Sequence, residues 1–167
     1  MEMNNQLTNI FDAHAHYDDK WFDVDRFELL DNIQSLGVCG IVNNAVDLVT
    51  AQKCIEYSER YAFMYAAVGF HPENLDGIPK DYLEKVARLC EHKKVVAIGE
   101  TGLDYHWDIP KQLQKKVFEE QIKLSLDLDM PLIVHDREAH GDTYDLLRKY
   151  KPNALIHCFS GDRKSVV

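Results

Sequence analysis

Val95-Val96-Ala97-Ile98-Gly99-Glu100 is an unbroken apolar run that ends on a carboxylate. Its length and composition suit a strand covered on both faces, and Val95–Gly99 is read as one. A carboxylate directly behind such a strand is costly to bury unless it is paired or bound to a cation. Taken singly, Glu100 reads equally well as a loop residue in water. Two further runs share the plan, since Leu132-Ile133-Val134-His135 and Ala154-Leu155-Ile156-His157 each reach a histidine at their far end. Working outward, Ile10–Ala15, Cys39–Asn43 and Phe63–Val68 read as earlier strands, and Leu132–His135 and Ala154–Cys158 as later ones. Amphipathic segments between them predict helices over Val24–Leu36, closed by Gly37, and from an Asp47 cap to about Tyr61. Others are predicted over Lys80–His92, from Asp108 and Pro110 to about Leu128, and over His140–Lys149. Strict alternation of this kind gives an α/β fold, either an open doubly wound sheet or a TIM-type (β/α) barrel.

The chain has 167 residues, whereas a complete eight-fold barrel takes about 250. About six strands are therefore expected: an open sheet, or an incomplete barrel lacking its last third. No linker, repeat or low-complexity stretch divides the sequence, so residues 1–167 read as a single domain. No apolar run approaches the roughly 18 residues of a membrane span, and the opening MEMNNQLTN is too polar for a secretory signal. Four scattered cysteines without a C-x-x-C pair read as reduced thiols, so a cytoplasmic protein is expected. With 19 Lys and Arg against 28 Asp and Glu, the net charge of −9 argues against binding polyanions by bulk attraction. Divalent cations in a carboxylate-rich site would change that sign locally.

Asp12-Ala13-His14-Ala15-His16 ends the first strand, and two-residue spacing puts Asp12, His14 and His16 on one face. Such a pair of imidazoles can grip a metal from one side, although His-x-His also occurs as a plain surface pair. The agreement between strands changes the reading. The first, fourth, fifth and sixth predicted strands each place a His or Glu at the carboxyl end, where the strand ends of a barrel converge. His14, His16, Glu100, His135 and His157 exceed the needs of one tetrahedral ion and suit a two-metal site. Imidazole and carboxylate ligands without thiolate fit Zn, Mg, Mn, Co or Fe. Cys158, next to His157, is expected on the opposite face, in packing.

These motifs, together with Gly69-Phe70-His71-Pro72, Ile98-Gly99-Glu100-Thr101-Gly102-Leu103-Asp104-Tyr105, Gln112 to Gln121, Pro131 to Arg137 and His157-Cys158-Phe159-Ser160-Gly161, resemble the TatD-like metal-dependent hydrolases. The resemblance implies that His14 and His16 hold one metal, Glu100 is shared by two, and His135 and His157 hold the second. It implies a role for His71 beside the scissile phosphate, with loop capping ahead of Pro72 as the alternative. Arg137 can offer a fork to phosphate or pair with Asp136 or Glu138. Asp12 and Asp104 would orient ligand histidines or cap a turn or helix. The family's further metal-binding aspartate follows the last strand, a region past Val167, so a C-terminally truncated chain is expected.

The implied chemistry is metal-assisted hydrolysis, in which a bound cation lowers the pKa of its water from about 15.7 toward roughly 7. By resemblance the substrate is DNA, single-stranded or at a 3′ end, cut as by an exonuclease, with Glu100 and His71 as catalytic groups. Tyr17, Trp21, Phe70, Tyr105 and Trp107 can stack on unpaired bases or simply pack. The alternatives are hydrolysis of an ester or amide, such as an aminoacyl-tRNA ester or a small cyclic amide, or a catalytically impaired fragment.

Overall fold

In the computed structural model, which describes residues 8–161, the apolar runs pair side by side in one parallel sheet. Its strands are β1 (Ile10–Ala15), β2 (Val38–Asn44), β3 (Met64–Val68), β4 (Val95–Asp104), β5 (Leu132–Arg137) and β6 (Ala154–Ile156). They lie in the order 1-2-3-4-5-6, each parallel to the next. A doubly wound sheet reverses direction at a switch point, whereas a barrel adds each strand on the same side. The order therefore selects the barrel plan. The rings of His14 and His157, at opposite edges of the sheet, stack with centroids 3.7 Å apart, so six strands form a curled arc.

Five helices connect the strands: α1 (Arg26–Asn32), α2 (Leu48–Arg60), α3 (Tyr82–Cys90), α4 (Lys111–Asp127) and α5 (His140–Tyr150). The outer core lies between helices and sheet, where Phe118 and Ile122 of α4 meet Ile98, Leu132 and Val134. On another face Val42, Ala67, Ala97 and Ile133, one from each of β2 to β5, form a layer of their own. Asp47 caps α2 by accepting from the Thr50 amide at 2.7 Å, while the Thr50 hydroxyl accepts from the Asp47 amide at 3.0 Å. Gly37 takes the left-handed conformation (φ 100°) expected where α1 and its following 3-10 turn, Ile33–Leu36, must stop.

Several boundaries differ from the sequence expectation. Helix α1 is seven residues, its tail tightening into the 3-10 turn, and Asp108 lies outside α4, whose cap position is Pro110. Strand β4 does not stop at Gly99 but runs through Glu100 to Asp104. Its register against β5 slips between Ile98 and Thr101, where three steps along β4 match two along β5, and Glu100 sits in that bulge. The strands then approach so closely that a Cβ on Gly102 would lie 2.0 Å from the His135 carbonyl oxygen. Strand β6 ends at Ile156, leaving Cys158 in a turn with φ 44°, exposed rather than packed.

Candidate metal centre

Backbone hydrogen bonds to the residues after β2 and to β5 set three of the site residues in place. The Glu100 amide donates to the Ala45 carbonyl at 2.8 Å, the His71 amide to Val46 at 3.0 Å, and the His157 amide to Val134 at 3.1 Å. The Asp12 carboxylate accepts from the His14 backbone amide at 3.2 Å, so it fixes the chain at His14 rather than the ring. With these anchors in place, five imidazoles surround one buried carboxylate. Glu100 Oε2 lies 2.9 Å from His14 Nε2 and 3.0 Å from His16 Nε2. Glu100 Oε1 lies 2.6 Å from His157 Nε2, 3.0 Å from His135 Nδ1 and 3.5 Å from His71 Nε2.

For three of these rings, His16, His135 and His71, a partner on the far side decides which nitrogen carries the proton. His16 Nδ1 faces the Asn44 carbonyl at 2.8 Å, an acceptor only, so that nitrogen carries the N–H. His135 Nε2 faces the Asp104 carboxylate at 2.8 Å, and the same logic applies. In their neutral forms both rings therefore turn a bare lone pair toward Glu100. Lone pair against carboxylate at 3.0 Å is repulsive unless a cation stands between them. His71 has the opposite arrangement, because its Nδ1 accepts from the Glu73 amide at 3.2 Å and its neutral ring carries the proton on Nε2, facing Glu100. Distance alone would group His71 with Glu100 and His135 as metal ligands. The tautomer makes it a hydrogen-bond donor instead.

The electrostatics agree. Burial opposes a charge on His16, but Glu100, Asp18 and the Asn44 carbonyl outweigh it and raise the pKa above its ordinary 6.5. Burial likewise opposes a charge on His135, and Glu100 with Asp104 overcomes it in the same direction. Burial alone would raise the Glu100 carboxyl, yet the bonds from His135, His14, His157 and His16 hold it well below the ordinary 4.5. The donor set, imidazole lone pairs around one shared carboxylate, fits divalent ions.

The site opens into a cavity of about 550 Å³. Asp18, Asp19 and Lys20, from the loop after β1, form part of its wall, with Lys20 its cation among the described lining residues. Sequence reasoning did not foresee how that loop is held: the buried guanidinium of Arg26 donates to the carbonyls of Tyr17, Asp18 and Asp19 and to the Asp23 carboxylate. Arg137 is exposed and lies outside the cavity lining; its backbone carbonyl accepts from the Tyr105 amide at 2.9 Å, while its guanidinium makes no hydrogen bond or ion pair among the described residues. The two carboxylates beside it are engaged elsewhere, Asp136 with His140 and Thr143, Glu138 with His106. Of the aromatics, Phe70 is buried against Tyr82, while Trp21 is 85% exposed and Trp107 50%. Gln114 and Gln121 entered the sequence reading only as part of the stretch Gln112 to Gln121, with no role of their own, although both lie on the buried stripe of α4 with Val117 and Phe118.

A family model described as TatD related DNase matches residues 11–166. An uncharacterized metal-dependent hydrolase of Bacillus subtilis, YabD, is 39% identical over 156 residues, covering 91% of this chain and 61% of the relative. A protein of Pantoea ananatis named 3′-5′ ssDNA/RNA exonuclease TatD is 33% identical over 164 residues, covering 94% and 62%. Among solved structures, the Escherichia coli TatD homologue YJJV superposes with a TM-score of 0.87 at 31% identity, covering 93% of this chain and 62% of that one. The chain thus spans about six tenths of the length of these relatives.

Proposed function

The chain belongs to the TatD related DNase family, and on that premise we propose that its site is the two-metal centre of a hydrolase that cuts phosphodiester bonds in nucleic acid, single-stranded DNA first. The single observation that carries the reading is the pair of rings, His16 and His135, each locked by an acceptor-only partner so that its lone pair faces Glu100. One ion belongs with His14, His16 and Glu100, the second with Glu100, His135 and His157. When bound, such ions supply an activated water and neutralise charge on the phosphate.

The protein's own groups do the rest. Asp104 and the Asn44 carbonyl hold the two imidazoles in the ligating tautomer. His71, with its proton on Nε2, donates to a phosphoryl or leaving oxygen seated near Glu100. Lys20 faces a neighbouring phosphate from the cavity wall, while Arg137, which the resemblance offers as a phosphate contact, lies outside that lining and is proposed only for a longer strand. Exonuclease relatives support the substrate class. The acidic wall of Asp18, Asp19 and Glu73 favours the second reading, an uncharged ester or amide.

Incubation with Mn²⁺ and a 5′-labelled single-stranded oligonucleotide tests the proposal. A ladder of shortened products supports it. Absence of a ladder with the metal bound and a small ester hydrolysed transfers the site to the second reading, and fewer than one tightly bound ion per chain overturns both.

A further inference from the structure

Helix α4 carries two glutamines that its apolar stripe would not require. Gln114 and Gln121 are seven residues apart, share the face toward the sheet, and are 1% and 0% exposed. A primary amide presents one acceptor and two donors in a plane, so it can satisfy both polar groups of a single backbone residue. Gln121 does this at Phe70: its Oε1 accepts from the Phe70 amide at 2.8 Å and its Nε2 donates to the Phe70 carbonyl at 3.1 Å. The second hydrogen reaches the Thr101 hydroxyl at 2.6 Å, beside Glu100. Gln114 repeats the pattern at Asp104, accepting from its amide at 2.8 Å and donating to its carbonyl at 2.7 Å. The approach at Gln121 is close enough that a Cβ on Gly69 would stand 2.9 Å from its Oε1.

Phe70 immediately precedes His71, and the Asp104 side chain fixes the proton on His135 Nε2. We propose that Gln114 and Gln121 are positioning residues, through which one helix sets the two sides of the site separately: His135 by way of Asp104, and His71 by way of Phe70. An apolar side chain at either place would fill the volume but leave a buried amide and carbonyl without partners. The inference rests on reading His71 and His135 as site residues, but not on the reaction, because it can be tested without metal or substrate.

The test is the imidazole nitrogen spectrum of the metal-free chain, ¹⁵N-labelled at histidine, for wild type, Gln114→Met and Gln121→Met. The proposal expects Gln114→Met to lose the His135 Nε2–H cross-peak while His71 is unmoved, and Gln121→Met to shift the His71 nitrogens while His135 is unmoved. Unchanged spectra in both variants overturn it, as do shifts spread equally over all the site rings. If a methionine variant does not fold, the asparagine variant at that position, with the same amide one methylene short, is read in the same way. Failure of both to fold assigns the glutamine to stability alone and overturns the positioning role. A chain that passes this test yet cuts no oligonucleotide leaves the inference standing and sinks only the nuclease reading.

Discussion

The end of β5 and the loop after β3 approach the same Glu100 oxygen, and the rings they deliver, His135 and His71, lie with centroids 4.4 Å apart. One turns a lone pair inward because a carboxylate holds its outer N–H; the other turns an N–H inward because a backbone amide occupies its outer lone pair. On the proposed reading these neighbouring histidines have different work, a ligand and a proton donor. Proximity to a carboxylate does not make a histidine a metal ligand. The partner on the far side of the ring decides.

The largest effect should come from removing what both rings share. Glu100→Gln is expected to abolish tight divalent binding and lower any hydrolysis by more than about 100-fold, the scale reached when a supporting partner alone is lost. Calorimetric titration of the metal checks it. Next, His135→Ala should lose one ion equivalent, whereas His71→Ala should keep the full metal complement and lower the rate by about 10²–10⁴-fold, as for a lost general acid. Metal analysis beside single-turnover rates would break the comparison if the two variants lost metal alike. Asp104→Ala should weaken metal binding by about 10–100-fold. Asn44→Ala keeps the carbonyl that holds His16, so its affinity should stay near wild type.

The smallest effect is in pH. His16 and His135 are more basic in the folded chain than at their ordinary 6.5, so their stabilisation of the metal-free fold is complete below that value. It fades as pH rises through their raised folded values, and the metal-free melting temperature should fall across that window. Glu100, held below its ordinary 4.5, keeps its contribution throughout. With saturating Mn²⁺ the trend should reverse, because deprotonation frees the ligating lone pairs. Melting curves from pH 6 to 9 with and without Mn²⁺ read both slopes.

Much of this was legible in the sequence because chemistry-bearing residues punctuate apolar strands. Glu100, His135 and His157 announced themselves as polar groups at the ends of apolar runs, and His14 and His16 by their two-residue spacing on one face of the first strand. Strict alternation narrowed the fold to a doubly wound sheet or a barrel, and the observed strand order chose between them. What stayed hidden depends on partners distant in the chain. The bulge that turns Glu100 inward exists only as a mismatch between β4 and β5. Arg26 looked like an ordinary helical residue, since the carbonyls it holds reveal nothing in a one-letter code. Gln114 and Gln121 did leave a signal, two amides at heptad spacing on a buried stripe, but their targets lie far off in the chain, at the end of β4 and in the loop after β3.

Diffraction from crystals soaked in Mn²⁺, with data at an energy where that ion scatters anomalously, tests the ligand roles of His16, Glu100 and His135 without relying on turnover. Anomalous density is expected at Glu100, bonded to His16 Nε2 on one side and His135 Nδ1 on the other, with His71 outside bonding distance. Density bonded to His71 Nε2, or no ion at Glu100 at saturating Mn²⁺, would contradict those roles.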